Sequence, residues 1–157
     1  RTGINIEPAT MAYMAENIEN IVAVKEASGN ISQIATLASM TKGKLDIYSG
    51  NDDQILPILS LGGKGVISVL SNVAPKYTHD MVMKYLEGNV EESTEMQLKA
   101  MPLIHALFSE VNPIPVKAAM NLMGKEVGPL RMPLTEMEEE HKEALKKIMI
   151  EFGLEVK

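Results

Sequence analysis

Cysteine is absent from all 157 residues. That excludes disulfides, thiolate zinc sites and a cysteine nucleophile. Tryptophan is absent too, and aromatic side chains number only 2 Phe and 4 Tyr. The core must therefore be aliphatic, packed with help from an unusual 12 Met, a residue that fills irregular gaps. No uncharged apolar run approaches the roughly 18–20 residues that cross a bilayer. Positive charge is in deficit: 15 Lys and Arg against 21 Asp and Glu leave a net charge of −6 and a pI of about 5.1. A nucleic-acid surface needs clustered cations to displace counterions, so this composition argues against one. What is present is ordinary: 45% apolar and 23% charged residues, the balance of a folded globular chain and not of a disordered one. The length suits one ordinary domain. The first residues, Arg1-Thr2-Gly3, bring neither an initiator Met nor the layered regions of a signal peptide. They read as the start of a processed chain or of a piece of something longer.

Apolar periodicity and chain breakers divide the sequence. Residues 8–17 predict a helix, with Pro8 in its first turn and Met11, Met14, Ala15 and Ile18 at helical spacing. Ile21-Val22-Ala23-Val24 predicts a strand buried on both faces, because it is short, partly β-branched and without alternation. A loop over 25–30 leads to a second helix over 32–41. The unit repeats: a strand over 45–49, a Gly50-Asn51-Asp52 loop in which Asp52 could cap, and a helix carrying Ile55, Leu56, Leu59 and Ser60. Gly62-Gly63-Lys64-Gly65 turns the chain into a third strand over 66–70, and a helix follows to about Leu86. Residues 89–157 predict helices alone. One spans 91–110 and is kinked or divided by Pro102. A rigid turn at 112–115 precedes a short helix over 116–123. A Thr135-x-x-Glu138 capping box opens a last helix, which Gly153 closes.

Three successive strand–loop–helix units predict parallel βα architecture. Three parallel strands alone leave two unpaired edges, whereas a closed (β/α)8 barrel has none and needs eight strands. The fold class expected is therefore α/β: the C-terminal part of a TIM barrel, about three βα units over residues 1–88, followed by an all-helical domain over 89–157.

Lys25 ends the first strand, where barrel enzymes place their reacting groups. A lysine desolvated there keeps more free amine, and a free amine attacks a carbonyl to give a Schiff base. The plainer reading is a lysine reaching solvent or pairing with Glu26. Arg1 could grip a carboxylate with two prongs or simply be a surface charge. Gly50 allows a close backbone approach or serves as an ordinary turn glycine. Gly62-Gly63-Lys64-Gly65 lacks the spacing and the following hydroxyl of a phosphate loop and reads as a turn. His79, His105 and His141 are scattered and form no zinc motif. Glu26 with Asp52-Asp53 could hold a cation or act as an acid–base pair, with capping and solvation the simpler roles. Glu138-Glu139-Glu140 reads as a solvated helix start.

Five segments stand in one order: Arg1-Thr2-Gly3, Val24-Lys25-Glu26-Ala27-Ser28-Gly29, Tyr48-Ser49-Gly50-Asn51-Asp52, Gly62 through Val69, and Asn112-Pro113-Ile114-Pro115-Val116-Lys117. Together they resemble the dihydrodipicolinate synthase family, also called 4-hydroxy-tetrahydrodipicolinate synthases. The resemblance implies a pyruvate-dependent Schiff-base lyase of diaminopimelate and lysine biosynthesis, with no cofactor beyond the covalently held pyruvate. It implies that Lys25 carries pyruvate and that Arg1 holds the carboxylate of aspartate semialdehyde. Gly50 would line the site, and Ile67 would offer its backbone carbonyl to pyruvate. It also implies a cytoplasmic homotetramer. Asn51 departs from the Asp of many such synthases and lowers the local charge.

The family's first half-barrel, with its Thr pair and Tyr proton relay, has no counterpart in these residues. General acid–base help is worth about 10²–10⁴ in rate, so the chain alone is expected to be nearly inactive. An open half-barrel is expected to self-associate or to take up the missing half. Two alternatives stand beside this reading: a non-catalytic module of the same fold, and a related pyruvate-dependent aldolase such as N-acetylneuraminate lyase. The Arg of the Arg1-Thr2-Gly3 segment favours the synthases over the lyases.

Overall fold

The computed structural model describes residues 3–157. They divide into two compact units, one ending at Ser68 and one running from Val69 to Lys157.

In the first unit, α1 (Pro8–Asn17) begins on its proline, whose fixed φ and missing N–H cost nothing in the first turn. Three strands follow: β1 (Ala23–Glu26), β2 (Asp46–Ser49) and β3 (Gly65–Val66). They pair in parallel in the order β1-β2-β3. Lys25 stands opposite Tyr48, and Ser49 opposite Val66. The connections are α2 (Ile31–Thr41) and, after a 3-10 turn at Asp52–Gln54, α3 (Ile55–Ser60). One face of the sheet is packed by these helices, with Met11, Ile34, Leu37, Leu45, Ile47 and Ile58 forming the core. Each such side chain contributes about 1.5–3 kcal/mol by leaving water. The opposite face is open: Ala23 and Lys25 are exposed.

Four expectations change here. The first strand begins at Ala23, two residues later than its apolar run, because Ile21 N–H bonds back to the Ile18 carbonyl in the turn that closes α1. The strand is buried on one face only, since the helices of this unit cover only one. The third strand is two residues long instead of five. Its last tie to β2 is Ile67 N–H to the Ser49 carbonyl at 2.8 Å, and β2 has ended by then. Asp52 is buried within the 3-10 turn, and the cap position of α3 falls to Gln54. Gly62-Gly63-Lys64-Gly65 is the expected helix-to-strand turn. Gly63 is required in it, because a Cβ there would lie 2.7 Å from the Ile58 carbonyl oxygen.

The second unit holds α4 (Pro75–Leu86), α5 (Val90–Leu107), α6 (Ile114–Leu122) and α7 (Glu139–Phe152). Helix α5 packs on α4, α6 and α7. Its core includes Met81, Leu103, Leu107, Ala119, Leu145 and Met149. Tyr77 O–H donates to the Met96 carbonyl at 2.8 Å, and its ring meets Phe152 edge-on at 4.8 Å. Burial pushes the Tyr77 hydroxyl pKa up. Ser93 Oγ, fully buried, donates to the Met81 carbonyl at 2.7 Å and ties α5 to α4.

Helix α5 runs unbroken through Pro102, contrary to the expected division. The bond a proline forfeits is the one to the carbonyl four residues back, here Leu98. Leu98 is 64% exposed, so water reaches that turn. The Thr135-x-x-Glu138 capping box does not form either. Helix α7 starts at Glu139, with Glu138 in the cap position and no side-chain cap. Glu110 takes over, accepting from Glu138 N–H at 3.0 Å and from His141 Nδ1–H at 2.8 Å. Helix α4 packs on α5, and the second compact unit begins at Val69.

Candidate active site

The sheet register brings the ends of three strands level. Lys25 is the third residue of β1, Gly50 follows the last residue of β2, and Ile67 follows the last of β3. This is the carboxyl end of a parallel sheet, where βα loops gather in such folds.

Lys25 and Gly50 are in direct contact. A Cβ on residue 50 would lie 3.0 Å from Lys25 Cε, 2.6 Å from Ala27 Cβ and 3.1 Å from the Glu26 carbonyl oxygen. Gly50 N–H donates to that carbonyl at 2.7 Å. Glycine is thus needed at position 50 because a Cβ there would collide with Ala27 Cβ and crowd the Glu26 carbonyl, while the Lys25 side chain ends close by. Ile67 is one strand further on and half exposed. Arg1 lies outside the described residues.

The apolar surroundings expected for Lys25 are not supplied by this unit. The residue is exposed, because the sheet face it occupies has no covering layer here. Glu26, next in the strand, points to the opposite face and is buried. It does not pair with Lys25. Its Oε1 accepts from Ser28 N–H at 2.8 Å and so shapes the loop after the lysine. Ser49 Oγ donates to the Asn51 carbonyl at 2.7 Å and holds the loop after β2. Gln54 Nε2 donates to the Gly29 carbonyl at 3.0 Å and joins the two loops. These loop ties were missed by sequence reasoning. A neighbouring bond, not one of these, leaves a signal: Asn30-x-x-Gln33 has the form of a helix cap, and Asn30 Oδ1 does accept from Gln33 N–H at 3.1 Å.

A cavity of about 370 Å³ adjoins Lys25, between the 3–8 segment, β1 and α2. A larger one, about 410 Å³, lies in the second unit between α6, α7 and residues 128–130. Two of its three lysines are engaged within that unit: Lys117 Nζ donates to the Pro129 carbonyl at 2.7 Å, and Lys142 Nζ to Glu139 at 3.4 Å. The smaller cavity is the one that adjoins Lys25, the primary amine near a strand's carboxyl end. Among the described residues, no three His, Asp or Glu side chains converge as a metal site. No helix among them is long and apolar enough to cross a membrane.

Comparison with known proteins agrees with this geometry. The 4-hydroxy-tetrahydrodipicolinate synthase of Lachnoclostridium phytofermentans is 61% identical over 154 residues, covering 98% of this chain and 52% of that protein. The synthase of Caldicellulosiruptor bescii is 56% identical over 157 residues, again covering 52% of its length. The crystal structure of dihydrodipicolinate synthase from Thermotoga maritima superposes with a TM-score of 0.95 at 46% identity, over 99% of this chain and 54% of that one. The chain therefore spans about half the length of the curated relatives it matches, their C-terminal half. Its fold is accordingly the C-terminal part of a (β/α)8 barrel followed by a helical domain. The model of the dihydrodipicolinate synthetase family matches residues 1–151, and the chain belongs to that family.

Proposed function

We propose that this chain supplies the Schiff-base half of a 4-hydroxy-tetrahydrodipicolinate synthase, an enzyme of diaminopimelate and lysine biosynthesis. The observation that carries the reading is Lys25 at the carboxyl end of β1 with its stem against Gly50. The Lys25 amine attacks the ketone carbon of pyruvate, and the carbinolamine loses water to give an iminium. Loss of a methyl proton makes the enamine, whose carbon attacks the aldehyde carbon of aspartate semialdehyde. The amino group of that substrate then closes on the imine carbon and expels Lys25 as free amine. The iminium is the electron sink, so the reaction calls for no further cofactor.

Arg1 holds the semialdehyde carboxylate as a two-pronged cation. Gly50 lines the pyruvate site, and the Ile67 carbonyl faces pyruvate. The half-barrel that precedes this portion in the relatives supplies the proton relay and covers the open face of the sheet. With it, residues 1–88 complete a barrel and 89–157 form the helical domain, in a cytoplasmic homotetramer. Without it, turnover falls by the factor of about 10²–10⁴ that general acid–base catalysis contributes.

The test is intact mass and peptide mapping after incubation with pyruvate and borohydride. The chain is used alone and with the complementary half-barrel supplied. A reduced adduct on Lys25, weak alone and strong in the complex, is expected. Adduct on a different lysine, or none in the complex, would sink the reading and leave a non-catalytic module of the same fold. Turnover of N-acetylneuraminate in place of aspartate semialdehyde would move the chain to the lyases.

A further inference from the structure

A run of hydrogen bonds leads from the buried Glu26, next to Lys25, to the segment ahead of α1. Ser28 N–H donates to Glu26 Oε1 at 2.8 Å, Asn30 N–H to Ser28 Oγ at 3.1 Å, and Gln33 N–H to Asn30 Oδ1 at 3.1 Å. From there the side chains of Gln33 and Asn5 donate to each other. Gln33 Nε2 reaches Asn5 Oδ1 at 3.0 Å, and Asn5 Nδ2 reaches Gln33 Oε1 at 2.8 Å. Asn5 Nδ2 also reaches Glu7 Oε1 at 3.1 Å.

The needs of helix α2 do not explain this pair. Gln33 is the third residue of α2, where a glutamine ordinarily returns to the N–H of the cap residue. Ser28 Oγ already satisfies that N–H on Asn30. The Gln33 amide is free to reach out to a segment 28 residues away in sequence. Two antiparallel amide bonds fix both the distance and the rotation of the groups they join. Both residues line the 370 Å³ cavity that Lys25, Glu26 and Ser28 also line.

We propose that Asn5 and Gln33 are positioning residues. Their clasp binds the 3–7 segment to the first turn of α2 and, through Asn30 and Ser28, fixes the backbone that follows Lys25. The inference rests on the reading of Lys25 as the Schiff-base residue. Neither side chain belongs to the apolar core, so truncating them leaves the fold standing.

Asn5→Ala, Gln33→Ala and the exchanged pair Asn5→Gln with Gln33→Asn are compared with the parent chain, alone and with the half-barrel supplied. Two quantities are read: amide hydrogen exchange at Ser28 and Asn30, and the initial rate of the borohydride-trapped pyruvate adduct on Lys25. Each alanine variant is expected to speed the exchange, and to slow adduct formation, by about threefold or more. The exchanged pair keeps both amides and their combined length, and restores both readings. Unchanged exchange in the alanine variants means there is no clasp and overturns the proposal. Faster exchange with an unchanged adduct rate overturns it too, because the clasp then holds the loop without positioning Lys25. A parent chain that forms no adduct even in the complex is a failure of the proposed function, and the positioning role falls with it.

Discussion

At residue scale, the space around Lys25 is set by what Gly50 lacks. A methyl group on residue 50 would strike Ala27 Cβ and the Glu26 carbonyl and press on Lys25 Cε. Gly50→Ala is therefore expected to destabilise the first unit by about 1–3 kcal/mol, as overpacking does, and to slow pyruvate trapping. Urea unfolding and the trapping assay read the two effects separately. A variant with parental stability and parental trapping would show that the contact is unimportant. His141 allows a prediction in pH. Its bond to Glu110, with Glu138 and Glu140 nearby, raises its pKa above the ordinary value of 6.5. The folded state thus holds the proton more tightly than the unfolded chain. The stabilisation is fully present below about pH 6.5 and is lost as pH rises through the raised value. His141→Gln should cost more stability in mildly acidic than in alkaline buffer, measured by urea midpoints. An equal cost at both pH values would contradict the bond. Of these residues, Lys25 and Gly50 were legible in the sequence: the apolar run marks the strand, and the residue at its end follows. The Glu110–His141 bond was not, since 31 residues separate its partners and no local pattern records it.

The elements show where local propensity yields to packing. Among the described residues, the seven α-helices and three strands are signalled by periodicity and breakers, because burying one face imposes a repeat that survives in sequence. Their ends are less legible. The third strand looks five residues long by composition and is two, because a strand lasts only while its neighbour offers carbonyls and amides. Pro102 looks like a breaker and is carried inside α5, a helix that packs on three others. The Thr135 capping box fails because Glu110, far away in sequence, claims the same start of α7. Ser93 ties α5 to α4 through a buried bond to the Met81 carbonyl. Ser93→Ala leaves that carbonyl without its side-chain donor and should cost about 1–3 kcal/mol. Denaturant unfolding checks this; a cost near zero would mean that the carbonyl keeps enough partners without Ser93.

For the whole molecule, the governing fact is a sheet with one clothed face and one bare face. Ile67 stands beside the bare face and is half exposed, and among the described residues β1 pairs with β2 alone. An unpaired strand edge next to exposed apolar surface is a template for association. Sedimentation velocity of the purified chain should find species heavier than the 17.2 kDa monomer, giving way to a defined complex when the half-barrel is supplied. A monodisperse monomer across a wide concentration range would refute this. The aliphatic, methionine-assisted core has a further consequence. Met132 is 86% exposed, while Met11 in the first unit and Met81 and Met149 in the second are buried. Peroxide converts an accessible thioether to its sulfoxide and spares one shielded by packing. The chain thus carries its own chemical clocks. Met132 reports the reagent dose, Met11 the breathing of the first unit and Met81 the breathing of the second. A single oxidation time course, mapped by peptide, would rank the opening of the two units without any added label.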